Sequence, residues 1–179
     1  MSLPLVVAIT GASGVIYGVE MLRVLKGLGQ ETHLILSEAA GMNLAIETDC
    51  SLDEVRSLAN VVYQNKDVGA AIASGSFRTR GMIVAPCTIK TLSAIANSFT
   101  YNLVVRAADV TLKERRTLVL MVRETPFHKG HLDLMSRAAD IGDAGGTRDW
   151  EFRSFRRRRQ PADFMQVKVG ASSAFDAGQ

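Results

Sequence analysis

The sequence predicts an α/β fold built on a doubly wound parallel sheet flanked by helices. Two observations carry that prediction, and a third places the ligand. Short continuous apolar runs occur at residues 3–10, 33–36, 82–85 and 117–122. Stretches with a helical pattern lie between and after them, at 15–28, 38–47, 52–60, 88–97, 107–115 and 129–141. Small polar residues gather directly after several of the apolar runs. Apolar strands alternating with helices read as βαβ units whose parallel sheet is covered on both faces. Right-handed crossovers then wind the sheet in the Rossmann-like manner, with ligands at the carboxyl ends of its strands.

The chain has 179 residues, 47% of them hydrophobic, enough for one domain with a real core. No apolar run approaches the ~18 residues needed to cross a bilayer. The first ten residues lack the basic start of a secretory signal. Cys50 and Cys87 form neither a C-x-x-C pair nor a metal-ligand spacing, and reduced thiols fit a cytoplasmic protein. The net charge of +3 is uneven. Residues 1–142 carry 14 basic and 13 acidic side chains, whereas residues 143–179 carry 7 and 5. The excess basicity therefore says little about what the main body binds.

The first run ends at Thr10 and leads through Gly11-Ala12-Ser13-Gly14 into a helix. Small residues let backbone approach a ligand, and a helix N-terminus offers unpaired N–H groups that suit a phosphate. Ser13 adds a hydroxyl. The motif is neither G-x-G-x-x-G nor a P-loop, so no dinucleotide or P-loop nucleotide is indicated. By itself the turn is equally an ordinary tight corner. The run 33–36 ends at Ser37, and Glu47 closes the helix that follows. Ser74-Gly75-Ser76 lies just before the run 82–85, and Pro86-Cys87-Thr88-Ile89-Lys90-Thr91 follows it and opens another helix. Four such clusters on one sheet edge suggest a ligand with a phosphate and polar ring atoms, although each could also be a simple cap or turn.

Arg106 and Lys113 are seven residues apart, on one face if their segment is helical. Arg123-Glu124 directly follows the run 117–122. Cations would hold an anionic substrate, and a carboxylate would move protons. Arg115 and Arg116 read as ordinary surface salt-bridge partners. His128 and His131 have no third ligand in view, so a metal site is not expected there. Cys87 reads as a small buried residue at a turn rather than a nucleophile.

These residues together resemble one family. Thr10-Gly-Ala-Ser-Gly14, Glu47-Thr-Asp49, Ser74-Gly-Ser-Phe77, Pro86-Cys-Thr-Ile-Lys-Thr-Leu92, Arg106-Ala-Ala-Asp-Val110, Leu112-Lys-Glu-Arg-Arg116 and Arg123-Glu-Thr-Pro126 are similar, in order and spacing, to the UbiX-type flavin prenyltransferases. The similarity runs from about residue 5 to 142. It implies an FMN-binding flavoprotein domain over 1–142 that joins a dimethylallyl group from dimethylallyl phosphate to N5 and C6 of reduced FMN. It also implies release of phosphate, delivery of prenylated FMN to a UbiD-type decarboxylase (the one of ubiquinone biosynthesis included), no metal, and a homo-oligomer, commonly a dodecamer. The family was formerly described as aromatic-acid decarboxylases. Carried over, Gly11, Ala12, Ser13, Ser37, Thr88, Ile89, Lys90, Thr91 and Arg123 resemble the FMN contacts. Ser13, Glu47 and Glu124 resemble the catalytic groups, and Arg106, Lys113 and Arg123 the cradle for the donor phosphate.

The resemblance stops at Gly142. Residues 143–179 contain neither Leu nor Ile, show neither a period of 2 nor one of 3.6, and hold the run Arg156-Arg-Arg-Arg159. They read as an atypical, disordered tail. The family's tyrosine for the donor phosphate would fall at about Arg153, and no tyrosine follows Tyr101. The abrupt break suggests a reading-frame product. Its expected cost is a bare sheet edge and weakened donor binding, with the FMN contacts intact. The alternatives are a catalytically impaired FMN-binding subunit and an FMN-dependent cysteine decarboxylase of the same superfamily. The latter is disfavoured because the turn reads Pro86-Cys-Thr-Ile-Lys-Thr91 and His33 lies within a strand pattern. Arg156 to Arg159 offer no aromatic platform, so nucleic-acid binding is not expected.

Overall fold

The computed structural model describes residues 3–142, 152–157 and 160–169. In chain order the elements are β1 (Leu5–Ile9), α1 (Val15–Gly27), β2 (Thr32–Leu36), α2 (Glu38–Glu47), α3 (Leu52–Ser57), β3 (Val61–Gln64), β4 (Gly81–Cys87), α4 (Ile89–Ala96), α5 (Leu103–Lys113), β5 (Thr117–Val122), α6 (Lys129–Gly142), β6 (Phe152–Arg157) and β7 (Gln160–Val169). The sheet order is β3-β2-β1-β4-β5-β7-β6. The first five strands pair in parallel. This is the doubly wound, Rossmann-like sheet that the alternating pattern predicts.

Two apolar layers explain why the strands read as unbroken runs. Val6 and Ala8 of β1 join Met82, Val84, Leu118 and Leu120 in a core roofed by α4, α5 and α6. Val7 and Ile9 point the other way, with Leu34, into a core under α1, α2 and α3. Successive side chains of a strand face opposite sides, so a strand buried on both must be apolar at every position. All five residues of β1 are buried.

Within residues 1–142, two helix boundaries differ from the sequence reading by three residues or more, and one strand was not foreseen. The helix expected over 52–60 stops at Ser57, after a capping box in which Ser51 and Glu54 bond each other's backbone. The strand β3 then follows, which the pattern did not announce. It is half-buried and exposed by turns, as an edge strand can be. Helix α5 starts at Leu103 rather than 107, because Asn102 caps it by accepting from the Val105 N–H at 2.9 Å.

The stretch 143–179 departs further. Two of its segments are strands, with β7 antiparallel to β5 and β6 antiparallel to β7. The β5 edge, expected to be bare, is therefore paired. Ladder bonds are made by backbone alone, and an open strand edge accepts a partner whose side chains follow no period. The Arg153 position lies in β6, in register with Gln166. The expected disorder of 143–151, 158–159 and 170–179 lies outside the described residues, as does the end of the arginine run.

Arg116 is also not the surface salt-bridge partner that its charged neighbourhood suggested. Its guanidinium donates to the Gly75 carbonyl at 2.8 Å, the Phe77 carbonyl at 2.8 Å and the Thr79 hydroxyl at 3.3 Å. It pins the segment before β4 beside the amino end of β5.

Close packing of α1 on the sheet rests on Gly18. A Cβ there would collide with the Ala85 carbonyl and stand 2.8 Å from two side-chain carbons of Ile9. Gly18→Ala is expected to destabilise the fold by about 1–3 kcal/mol, through forced displacement of α1. Thermal unfolding followed by circular dichroism checks this, and an unchanged Tm would refute the packing argument.

Candidate active site

The strand order reverses between β1 and β4, since β1 pairs with both β2 and β4. The helix after β1 packs on one face and the helix after β4 on the other. Their N-termini therefore part and leave a crevice at the carboxyl edge, where open α/β sheets bind ligands. Thr10 joins the two sides. Its hydroxyl donates to the Pro86 carbonyl at 2.8 Å and accepts from the Thr88 N–H at 3.0 Å. The Arg123 N–H, bonded to the Cys87 carbonyl at 3.0 Å, ties β5 into the same edge.

The two helix starts in this crevice are not equivalent. Gly14, the N-cap of α1, has φ 91° and no side chain to cap with. A left-handed φ favours glycine. The missing acceptor comes from Glu47, whose carboxylate takes the Gly14 N–H at 2.7 Å and the Val15 N–H at 3.3 Å. The sequence reading placed the ligand phosphate on this turn. Here an anion from the chain itself already occupies that helix end, where negative charge is favoured.

The start of α4 is different. Thr88 caps it by accepting from the Thr91 N–H at 3.1 Å, and the two hydroxyls bond at 3.0 Å. The first-turn amides of Ile89 and Lys90 have no intrahelical acceptor by the geometry of a helix start. The Lys90 ammonium stands 5.3 Å from the centroid of the Tyr101 ring. Ser37 caps α2 through the Ala40 N–H at 3.1 Å. A cleft of about 260 Å³ opens here, walled by Ser37, Thr88, Lys90, Thr91 and Tyr101. A second, of about 350 Å³, is walled by Ala12, Ser13, Ile89, Arg123 and Glu124. Gly11 and Thr88 border both.

Most of the expected site residues thus meet at one place. Arg106 and Lys113 do not. Arg106 donates to the Ala73 carbonyl and to Asp109, each at 3.1 Å. Lys113 ends α5 beside Glu114, 3.8 Å away. Neither lines either cleft. Ser74-Gly75-Ser76, expected on the carboxyl edge, sits at the other end of the sheet, where Arg116 holds Gly75. A turn just before a strand belongs to that strand's amino end.

The sequence reading missed Tyr101, Asn102 and Asn65, which also border the first cleft. Asn102 was hidden by the late start assigned to α5. Asn65 accepts the Leu103 and Val104 N–H groups, with its carbonyl at 2.8 Å and its side chain at 3.0 Å. Its only signal was its place just after an unrecognised strand. His128 and His131 lie against each other with ring centroids 3.6 Å apart and planes tilted by 34°. No group of three or more His, Cys, Asp or Glu side chains gathers among the described residues.

A crevice at a sheet's reversal point, with hydroxyls and helix amides at one end and Ser13, Arg123 and Glu124 at the other, is the architecture of a mononucleotide-binding α/β protein. Residues 2–137 match the family described as Flavoprotein. Within that family the chain belongs to the UbiX flavin prenyltransferases. It is 58% identical to flavin prenyltransferase UbiX of Thauera aromatica over 138 residues, 77% of this chain and 71% of that one. Identity to the Escherichia coli K12 protein of the same name is 58% over 139 residues, 77% and 74% of the two chains. The crystal structure of AnUbiX (PadA1) in complex with FMN and dimethylallyl pyrophosphate superposes with TM-score 0.78 at 45% identity, covering 79% of this chain and 75% of that one. A dodecameric FMN-dependent UbiX-like decarboxylase from Escherichia coli O157:H7 gives 0.77 at 44%, covering 78% and 76%.

Cys87, in the core at the end of β4, is fully buried, and burial pushes its thiol up to about 12. Cys50 is only partly covered. A disulfide reagent at pH 8 is therefore expected to titrate one thiol per native chain and two after denaturation. Two fast thiols in the native protein would contradict the burial.

Proposed function

We propose that this protein is a flavin prenyltransferase, making prenylated FMN from reduced FMN and dimethylallyl phosphate. The observation that carries the reading is the pair of adjoining clefts, one offering phosphate donors and the other a hydroxyl, a guanidinium and a carboxylate. The donor set suits FMN. The Ser37 and Thr88 hydroxyls, the Ile89 and Lys90 amides and the Lys90 ammonium would hold its phosphate, because Glu47 already takes the α1 amides. The flavin ring would then lie toward Gly11, Ala12, Ser13 and Arg123. Reduced FMN supplies the nucleophilic N5 and C6.

The protein's own groups do the rest. The allylic C–O bond of the donor breaks with both electrons leaving on phosphate. Arg123 would stabilise that growing charge, and a fixed cation does so best where water is excluded. Glu124 lies in the same cleft and would accept the proton that leaves the ring and return one to the donor's alkene, so that the bond at C6 forms at the expense of that π bond. Ser13 would orient the reacting ring edge by hydrogen bonding. Glu47 would hold the turn and stand as a second carboxylate. Arg106 and Lys113 lie outside both clefts, so as donor-phosphate cations they would act on a neighbouring copy's site in a homo-oligomer. The product would serve a UbiD-type decarboxylase in the cytoplasm. No helix among the described residues is long and apolar enough to cross a membrane.

The test is a visible spectrum of the protein with FMN, repeated after reduction and addition of dimethylallyl phosphate, with the released flavin weighed by mass spectrometry. A flavin heavier by one dimethylallyl unit is expected, and unmodified FMN would overturn the proposal. Glu124→Gln is expected to lower kcat about 10²- to 10⁴-fold with FMN affinity unchanged, as loss of a proton acceptor should. Mixing subunits of Lys113→Ala with subunits of Glu124→Gln is expected to recover activity that neither has alone. No recovery would place Lys113 outside the site.

For residues 143–179 we propose a reading-frame origin, because the family resemblance stops abruptly at Gly142 and no tyrosine follows Tyr101. Weakened donor binding would follow. Translation of the coding DNA in the other two frames decides the matter, and the idea fails if neither yields an apolar strand followed by Phe-Tyr.

A further inference from the structure

The turn Gly11-Ala12-Ser13-Gly14 has no long side chain with which to brace itself, so its position must be set from outside. Helix α2 does this with one stripe. A Cβ on Gly11 would collide with the Ala39 methyl group, so the turn lies in direct contact with the helix there. Four residues on, the Asn43 side-chain amide donates to the Gly11 carbonyl at 3.1 Å. Four further, Glu47 holds the Gly14 and Val15 N–H groups. Residues spaced by four share a helix face. The helix thereby grips the entry of the turn through Asn43 and its exit through Glu47, with Ser13 suspended between them.

We propose that Asn43 is a positioning residue for the flavin site, setting the height of Gly11 and hence the aim of the Ser13 hydroxyl. This rests on the functional reading above, and nothing in it requires Asn43 to touch flavin or donor. Only a donor at this place can hold a carbonyl. An aspartate of the same shape would turn a carboxylate on the Gly11 oxygen, and a leucine would offer nothing. Misplacement of a reacting group by a fraction of the turn's width is enough to slow catalysis well before it unfolds a helix whose Ala40 and Leu44 remain buried.

The experiment compares Asn43→Asp, Asn43→Leu and Asn43→Gln with the wild type, and with Met42→Ala as a control at a position 66% exposed on the same helix. Four quantities are read: FMN affinity by fluorescence quenching, the bound-flavin absorption spectrum, kcat and KM for dimethylallyl phosphate, and Tm. The Asp and Leu variants are expected to shift the flavin spectrum, weaken FMN roughly tenfold and lower kcat roughly 10- to 100-fold, with KM for the donor unchanged. The Gln variant, which keeps the donor on a longer arm, is expected to recover most of the loss, and the control to match wild type. If the Asp and Leu variants bind and turn over normally, or lose Tm alone, Asn43 is not a positioning residue. Should the wild type bind FMN without transferring the prenyl group, the functional reading falls, while the spectrum and affinity still decide the role of Asn43.

Discussion

The Thr10 hydroxyl is the joint on which the site hangs. It spans the reversal point of the sheet, giving a hydrogen to β4's Pro86 carbonyl and taking one from the Thr88 N–H. Without that bridge the ends of β1 and β4 would share only backbone bonds, the last from the Thr10 N–H to the Pro86 carbonyl at 3.2 Å, and the Thr10 side chain would no longer tie the strand before α1 to the cap of α4. With it, the α1 turn and the α4 cap keep a fixed separation. Both clefts share Gly11 and Thr88 as borders for this reason.

From that joint the polarity of the crevice follows. Two helix N-termini face one space, and both would attract negative charge. The chain neutralises one with its own carboxylate, Glu47, and leaves the other to hydroxyls, first-turn amides and the Lys90 ammonium. An incoming dianion therefore has one favoured end. The opposite end presents Ser13, Arg123 and Glu124. On the proposed reading, a glycine N-cap that cannot cap itself would set the orientation of a bound mononucleotide.

Much of this was legible in the sequence. The apolar runs and helical stretches mark the parallel sheet, because a strand covered on both faces must be apolar throughout. The turns after β1, β2, β4 and β5 mark the carboxyl edge. What escaped was of two kinds. Short edge elements such as β3 carry too little burial to leave a period, and Asn102 starts α5 by a cap that a run of Leu and Val disguises. Long-range pairings leave no local trace. Nothing near Glu47 announces that it caps a helix thirty-odd residues upstream, and nothing near Arg116 announces three bonds to the segment before β4. Lys113 and Arg106 share a helix as expected, yet a shared helix does not bring them to the crevice. The two strands of 152–157 and 160–169 belong to the same lesson, since an open edge recruits backbone without regard to pattern.

The buried thiol of Cys87 bears on a hazard peculiar to flavins. A reduced flavin exposed to air passes electrons to oxygen, and the peroxide so made attacks thiolates first, carrying them toward sulfenic and then irreversible acids. The Cys87 sulfur lies in the core one residue from Thr88, which borders both clefts. Burial pushes that thiol up to about 12, so it stays protonated, and thus least reactive, across the biological range. Cysteine can therefore serve as a compact core filler one residue from the crevice without becoming the first casualty of a flavin's side reactions.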